Sequence, residues 1–412
     1  VLKFDRDSGP FTALLGAVAA LSALSIDISL PALPAMTIAL SADAAAAQWT
    51  LSLFMVGFAG GQLFLGPLSD RFGRRPVLLC GLLVYVAAGI ACATAPSIGI
   101  LIFMRFLQGL SVCSGQVIVR AIIRDVFDRP SAAAKQSIIT VVTTMAMLIA
   151  PIVGAWVLGF ADWRAVFALL PVVGGILLVA TYLIIPETRP EMSGLRAGTL
   201  KAYLHVLSEP RTVGNAFVAA FIFAGLFVFI SDSSTVFIRT LGITPQGFSW
   251  MFAIVALGQL LGSSLNRMLA MRVAPARLIK VGGSIAFLAT SIIAIQAVWP
   301  VGVYPLLLAI SLYAFALGMT NPNAIAAAMV PLPQYAGSAS AVIGCMQFIM
   351  GSIGAALAGY ILPGTVRGML GTMAAFGFAG IAVLAWLEFV HANRVQPVDS
   401  GAKAQGCDSV TL

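Results

Sequence analysis

An all-α membrane protein with twelve spanning helices, arranged as two similar six-helix bundles, is the fold class this sequence predicts. Three observations predict it. The 412-residue chain is 60% hydrophobic and 9% charged, with a mean hydropathy of +1.01, whereas a soluble domain carries about 25% charged residues. The apolar residues fall in continuous runs of about twenty, the length a helix needs to cross ~30 Å of hydrocarbon. The basic residues collect in alternate short loops between those runs, as the positive-inside rule requires. Continuous runs also set aside a β-barrel, whose strands would read as alternating segments of about ten residues. The net charge of +8 does not point to nucleic acid, because the basic residues sit in short loops between apolar runs.

Cutting at charges, prolines and loop signals places the spans near 10–33, 48–68, 76–95, 98–121, 134–159, 165–186, 213–238, 246–268, 278–298, 302–328, 337–362 and 369–390. Span one carries Asp27, with no lysine or arginine between Arg6 and Arg71. A carboxylate at membrane depth costs roughly 2.5–3.5 kcal/mol on insertion scales, so it is expected to face a cavity or a partner and to have a task. Ala42-Asp43-Ala44 resembles a signal-cleavage site. The apolar stretch before it is longer than an h-region of about 7–15 residues, so an uncleaved first span is expected. Span two runs into span three through Gly66-Pro67-Leu68-Ser69-Asp70-Arg71-Phe72-Gly73-Arg74-Arg75-Pro76. The glycines permit a tight turn, Asp70 can pair with a neighbouring helix N-terminus, and the arginines can pair with carboxylates or lipid phosphates.

Span four holds Arg105 and Arg120. Arg105 lies ~10 Å inside one end, and Asp27 ~9 Å inside the same end of span one, at 1.5 Å per residue. The two can therefore pair across a cavity, or Arg105 can bond backbone carbonyls at a helix bend. In span five, Pro151 and Gly154 can bend the helix and admit a close neighbour. Span six ends at Pro186-Glu187-Thr188-Arg189-Pro190, and a polar segment follows to Arg211. Span seven holds Asp232, again about six residues from its end; it faces either the cavity or a solvated rim. Phe221, Phe223, Phe227 and Phe229 of that span read as lipid-facing or as contacts for an apolar substrate. In span ten, Asn321-Pro322-Asn323 is expected to break the helix ladder, either exposing carbonyls to a cavity or only kinking the helix. In span eleven, Gly351, Ala355 and Gly359 share one small-residue face suited to packing.

The division that results is an N-terminal bundle over 1–186, a linker over 187–212, a C-terminal bundle over 213–391 and a tail over 392–412. An internal repeat supports two halves. Gly61-Gln62-Leu63-Phe64-Leu65-Gly66 through Asp70-Arg71 closes span two, and Gly258-Gln259-Leu260-Leu261-Gly262 through Asn266-Arg267 closes span eight. Parallel six-helix repeats of this kind are a transporter architecture. Of 23 lysines and arginines, Arg164, Arg239 and Arg367 fall in one set of loops, Arg105 and Arg120 within spans, and the rest on the side of the termini. Both termini are therefore expected in the cytoplasm, in the cell (inner) membrane. Cys80, Cys92, Cys113, Cys345 and Cys407 have no metal or disulfide spacing, and His205 and His391 are the chain's two histidines, so no metal site is expected.

The turn G-P-L-S-D-R-F-G-R-R at 66–75 resembles the signature loop of the major facilitator superfamily. Arg105-Phe106-Leu107-Gln108-Gly109 is similar to that family's second motif. Ala150-Pro151-Ile152-Val153-Gly154 is similar to the drug/proton antiporter motif, with alanines at 150 and 155 in place of two glycines. Asp162-Trp163-Arg164 opens span six as in many drug exporters. Ile26-Asp27-Ile28-Ser29-Leu30-Pro31, Val119 through Asp125 and Ala336 through Ala341 resemble the bicyclomycin/chloramphenicol-resistance branch (Bcr/CflA); Asp232 is outside that pattern. The resemblance implies the major facilitator fold and alternating access, with efflux of small, partly apolar compounds of a drug or antibiotic class in exchange for protons. It implies proton coupling or substrate contact at Asp27, Arg105 and Asp232. Conformational gating would fall to Gly66, Asp70, Arg71, Gly73, Arg74, Arg75, Asp125, Pro151 and Gly154, with Arg74 pairing to carboxylates such as Asp125.

The expected partners are a small-molecule substrate, protons and membrane lipid, with no nucleic acid, and the expected state is a monomer. No cofactor is expected, the proton gradient being the driving force, since the chain has no G-x-x-x-x-G-K-[S/T] loop for ATP. No set of nucleophile, base and oxyanion donors marks an enzyme. A facilitator that imports a small metabolite is the alternative reading, and a membrane receptor without transport is the third. Orientation is directly testable. In a cysteine-free background, Ala42→Cys should react with an impermeant thiol reagent on intact cells and Ala197→Cys should not; labelling in the opposite sense inverts the topology.

Overall fold

The computed structural model describes residues 9–188, 199–270 and 272–395. Within them lie twelve helices long and apolar enough to cross a membrane. Span one is broken: α1 (Gly9–Asp27) gives way to a 3₁₀ turn (Leu30–Ala32) and a short α2 (Leu33–Ala39). Pro31 and Pro34 explain the break, because neither has an N–H to give the ladder. The other spans of the first half are α3 (Ala44–Phe72), α4 (Arg74–Ala93), α5 (Ile98–Val126), α6 (Arg129–Leu158) and α7 (Trp163–Ile184). Asp43 caps α3 by accepting from Ala46 N at 2.7 Å, and Asp162 caps α7 through Ala165 N at 3.2 Å.

In the segment read as a linker, residues 189–198 lie outside the described residues, and a short α8 (Thr199–Leu207) follows. This segment is more than a polar tether. Val206 of α8 is buried against Leu332, Ala339 and Val342, and Tyr203 Oη donates to Leu63 O at 2.9 Å. The second half comprises α9 (Pro210–Ser234), a π-helical turn (Thr235–Thr240), α10 (Pro245–Leu269), α11 (Pro275–Val298), α12 (Val303–Met329), α13 (Ala336–Ile361) and α14 (Val366–Val395). Of the tail, 396–412 lies outside the described residues.

The repeated sequence has a packing reason. In the first half α3 meets α5 backbone to backbone: a Cβ at Gly61 would strike Leu110 O and Cys113, and one at Gly109 would strike the backbone of Phe54. In the second half α10 meets α12 in the same way, Gly262 against Phe315 O and Gly318 against Gln259 O. Without a hydrophobic drive between helices in lipid, close backbone approach over small residues is what holds them.

Two expectations need correction. Asn321-Pro322-Asn323 does not interrupt α12. Asn323 Nδ2 donates to Met319 O at 2.8 Å and to Asn266 Oδ1 at 2.6 Å, while Asn321 Oδ1 accepts from Gln347 Nε2 at 2.8 Å. Side chains on the same and adjacent helices thus supply polar partners around the proline and keep the disturbance local. Nor do the phenylalanines of α9 face lipid. Phe227 and Phe229 are buried, and Phe223 meets Phe348 of α13 edge-on at 5.5 Å. Phe348 in turn meets Phe58 of α3 at 4.5 Å, so the aromatic cluster joins the two bundles. Burial is the cheaper use of these rings because α13 offers Gly351 beneath Phe223 and Phe227.

The glycine contacts carry a stability prediction. Gly262→Val should lower the thermal midpoint in detergent, by a cost of about 1–3 kcal/mol typical of overpacking, because the obstacle is the backbone carbonyl of Phe315 and cannot swing aside. Gly371→Val, where a Cβ meets open space, should leave the midpoint close to the parent's.

Candidate functional site

The end of the bundle where α1 begins and α14 stops is called proximal here, and the opposite end distal. At the proximal end, Gly73 turns the chain between α3 and α4 with φ 101°, a left-handed conformation that suits glycine. Arg74, 4% exposed, is the hub of this turn. Its guanidinium reaches Asp70 at 2.5 Å, Asp125 of α5 at 2.9 Å and Ser69 Oγ at 2.7 Å. Asp70 does not cap a helix as the sequence suggested, because its carboxylate lies against Arg74, one turn on. The N-terminus of α4 is instead capped by Glu187, whose carboxylate accepts from Arg74 N at 2.9 Å and Arg75 N at 3.2 Å. A carboxylate at free N–H groups is the favourable end of the helix dipole. Glu187 was missed; its one signal is its place just after span six. Arg75 donates to Tyr182 O at 2.7 Å, and Arg71 stacks on Phe72 at 5.0 Å. Gly66 lies beside Val117 of α5. The turn thus ties α3, α4 and α5 to the end of α7.

The second cluster surrounds the break after α1. Asp27 is the last residue of that helix and 3% exposed. Among the described residues no hydrogen bond or ion pair holds its carboxyl group. Arg105 of α5 is fully buried, and of its two expected uses it takes the second: it bonds the backbone at the break of span one, and no Asp27–Arg105 pair forms. Arg105 donates to Ser25 O at 3.0 Å, Ser29 Oγ at 2.5 Å and Gln108 Oε1 at 2.9 Å. Its plane is flanked by Phe167 at 4.8 Å and Phe54 at 5.4 Å. The reason is local: a helix that stops at Asp27 leaves carbonyls such as that of Ser25 in need of a donor. A guanidinium with five N–H groups meets that need and suits the negative end of the helix. Ser25 and Ser29 stand two residues either side of Asp27, so Arg105 grips the segment that carries the acid. Tyr85 Oη, 2.8 Å from Ser25 Oγ, adds a further tie. Gly154 of α6 presses on Ile28 O, where any Cβ would collide, so the close approach expected at Gly154 is made.

Asp232 lies in the distal half, fully buried rather than at a solvated rim. Its Oδ1 accepts a hydrogen bond from Gln48 Nε2 of α3, across the two bundles. Three more hydrogen bonds join the halves there: Ser352 Oγ to Ser52 O at 3.0 Å, Ser249 Oγ to Pro151 O at 2.9 Å and Gln246 Nε2 to Ala155 O at 3.5 Å. Pro151 does not interrupt α6, and its carbonyl serves the contact with α10. At the distal end the halves are thus sewn together. Towards the proximal end α3 and α13 stay in contact, as at Phe58 and Phe348, but α5 and α12 make no substantial contact.

Twelve spans in two bundles, a charged glycine turn at 66–75 and an arginine clamp in the fourth span together match a known pattern. The sequence profile of the Major Facilitator Superfamily fits residues 15–355. The chain belongs to the major facilitator superfamily. Among curated relatives, a bicyclomycin resistance protein homolog of Haemophilus influenzae is 30% identical over 386 residues, covering 93% of this chain and 96% of the relative. A chloramphenicol resistance protein of Pseudomonas aeruginosa is 28% identical, over 81% of this chain and 80% of its own length. Among solved structures, a D-xylose–proton symporter superposes with a TM-score of 0.71 at 16% identity, covering 92% of this chain and 97% of the other; at that identity the likeness speaks for the fold alone. This facilitator is a multi-pass membrane transporter of small molecules, not an enzyme.

Disrupting the hub should slow this facilitator without preventing its insertion. Arg74→Ala leaves Asp125, 8% exposed, with Arg124 at 3.9 Å in place of its 2.9 Å partner, and is expected to cut the initial transport rate by roughly tenfold, equivalent to about 1.4 kcal/mol on the rate-limiting step. Asp70→Asn and Glu187→Gln should act in the same direction more mildly. Rates are compared at equal membrane abundance; parental rates in all three variants would separate the turn from transport.

Proposed function

We propose that this facilitator exports small, partly apolar compounds of a drug or antibiotic class from the cytoplasm in exchange for protons, by alternating access, with Asp27 as the proton carrier. The observation that carries the reading is Asp27 itself: a carboxyl group buried at membrane depth, unpartnered among the described residues, at the break of the first span. An ionisable group in that position is a transport site by default. With Arg105 committed to Ser25, Ser29 and Gln108, Asp27 is left free to exchange a proton for a substrate. Arg105 positions the segment that carries it through Ser25 and Ser29.

Resistance relatives support the direction of transport and the substrate class. The basic bias supports a cell (inner) membrane protein with cytoplasmic termini, so that the proximal end faces the cytoplasm and the conformation described is closed to the outside. Inner-leaflet phosphates are the natural neighbours of the exposed basic residues, and the working unit is a monomer, as no step calls on a second copy. In this cycle Asp27 gives up its proton to the cytoplasm, accepts substrate there, and is reloaded from outside once the substrate has left.

Asp27→Asn fixes the neutral side chain permanently. It should abolish uphill efflux and substrate-induced proton movement in vesicles while keeping binding of a neutral compound. Asp27→Glu, with the titratable group one methylene away, should keep part of the activity. The assay is drug accumulation in a host without its own pumps, with and without an uncoupler. Parental efflux from Asp27→Asn removes Asp27 as the carrier, and uncoupler-insensitive accumulation of substrate inside the cell favours an importer.

A further inference from the structure

We propose that Asp232 and Gln48 form a proton-binding latch at the distal gate, which closes with Asp232 as a neutral carboxylic acid. The inference rests on the alternating-access reading above and adds a second proton site with a different task. Gln48 opens α3 in the first bundle and Asp232 closes α9 in the second, and the hydrogen bond from Gln48 Nε2 to Asp232 Oδ1 spans the joint between them. Both residues are buried, Gln48 at 1% and Asp232 at 0% exposure.

The bond leaves two atoms over. Asp232 Oδ2 and Gln48 Oε1 are both buried, and neither receives a hydrogen bond. Both are acceptors while Asp232 is ionised, so the pair would carry a negative charge and two orphan lone-pair sites into a dry joint. Burying such a charge unpaired is among the costliest states in a protein interior. One proton on Oδ2 removes the charge and turns one orphan into a donor, and the amide oxygen is an acceptor the latch already contains. An amide and a carboxylic acid are then matched donor for acceptor.

The surroundings offer no other remedy. The ionisable groups towards the distal end of the elements packed on α9 are Tyr360 of α13, Tyr313 of α12, Arg367 of α14, Asp43 at the start of α3 and Asp27 before the 3₁₀ turn, with Arg239 on the turn that extends α9; Tyr360 and Arg367 are exposed. None of them bonds Asp232, for which Gln48 is the one interacting group among the described residues. Tyr313 is committed to Ile222 O at 3.0 Å and Asp43 to Ala46 N at 2.7 Å. A third helix seals the joint. Gln48 Oε1 lies directly over Gly359 of α13, where any Cβ would overlap it. The small residue at 359, read from sequence as a packing position, is what lets the amide sit flat in the gate.

The proton balance is simple. When the distal gate opens, water hydrates the carboxyl group and Asp232 releases one proton to that side. When the gate closes, one proton is taken up from the same side and stays in the joint. With one proton bound per closure, the open-to-closed ratio should rise by about tenfold per pH unit across the titrating range.

The test reads the gate and not transport. In a cysteine-free background, Ala356→Cys lies in the shallow cleft formed with Ala45, Gln48, Trp49, Gly359 and Tyr360. Its labelling by an impermeant thiol reagent is followed from the distal side, without substrate, as external pH is raised, against an exposed-loop cysteine as a reactivity control. Corrected labelling should climb steeply with pH in the parent. Adding Asp232→Asn should hold it low and flat, since an amide at 232 can pair with Gln48 without a proton. Adding Gly359→Ala should make it high at every pH. Asp27→Asn should leave the parental profile intact, so loss of efflux in that variant and loss of the latch are separate results. A profile that Asp232→Asn leaves unchanged, or one that Asp27→Asn removes, overturns the proposal. Monodisperse elution of each variant confirms that labelling reports folded protein.

Discussion

A guanidinium with no carboxylate partner, buried against the end of a broken helix, is the constraint from which the rest of the first bundle follows. Backbone in a membrane must find its hydrogen bonds within the protein. Span one stops being a helix at Asp27 because Pro31 and Pro34 cannot feed its ladder, and Arg105 reaches from α5 to take up the slack at Ser25 and Ser29. The clamp settles several things together. It fixes the depth of Asp27 and holds α1 to α5 through Ser25 and Ser29. Phe54 and Phe167 on the guanidinium, and Gly154 against Ile28 O, then have to be where they are.

The two halves answer the same structural problem with different chemistry. In the first, the proximal ends of α3, α4 and α5 are joined by ions, Asp70, Arg74 and Asp125. In the second, the corresponding end of α10 presents Asn266, whose partner on α12 is Asn323, an uncharged bond. The pattern repeats at the acids. Asp27 precedes a 3₁₀ turn, Asp232 precedes a π-helical turn, and both stand where the regular ladder ends. Irregular helical turns of this kind tend to occur at functional positions. What differs is company: Asp27 has no partner among the described residues, while Asp232 is tied across the joint to Gln48. The duplicated scaffold thus carries one acid within a bundle and one between bundles.

Much of this was legible in the residues. The twelve spans could be read because transfer of apolar side chains into lipid is additive along a run, and the observed ends lie within a few residues of the predicted ones except at the far ends of the first and fourth spans, which continue to Ala39 and Val126. The repeat that includes Gly61 and Gly258 marked two related halves, and the pairing of Arg74 with a carboxylate such as Asp125 was expected and is made. Elsewhere local reasoning failed in an informative way. Asp70 looked like a helix cap, yet Glu187, more than a hundred residues on, holds that place. Arg105 and Asp27 share a depth, but depth says nothing of direction, and the free carbonyls at the end of α1 were nearer. Asn321-Pro322-Asn323 looked like a break because the sequence shows the proline and not the neighbouring asparagine and glutamine that compensate for it.

By itself the sequence determined that this chain spans a membrane twelve times, in two related halves, with an acid in the first and seventh spans and a charged turn between the second and third. These are properties of short segments, set by the cost of moving each residue out of water and by which residues can turn the backbone. Tertiary structure alone decided who meets whom. The grip of Arg105 on Ser25 and Ser29, the cap of Glu187 on α4 and the bond from Gln48 to Asp232 join residues 76 to 184 positions apart. Each depends on how helices rotate and lean once packed over their glycines, a choice made by close contacts among many spans and by the need to leave as few buried polar groups as possible without a partner.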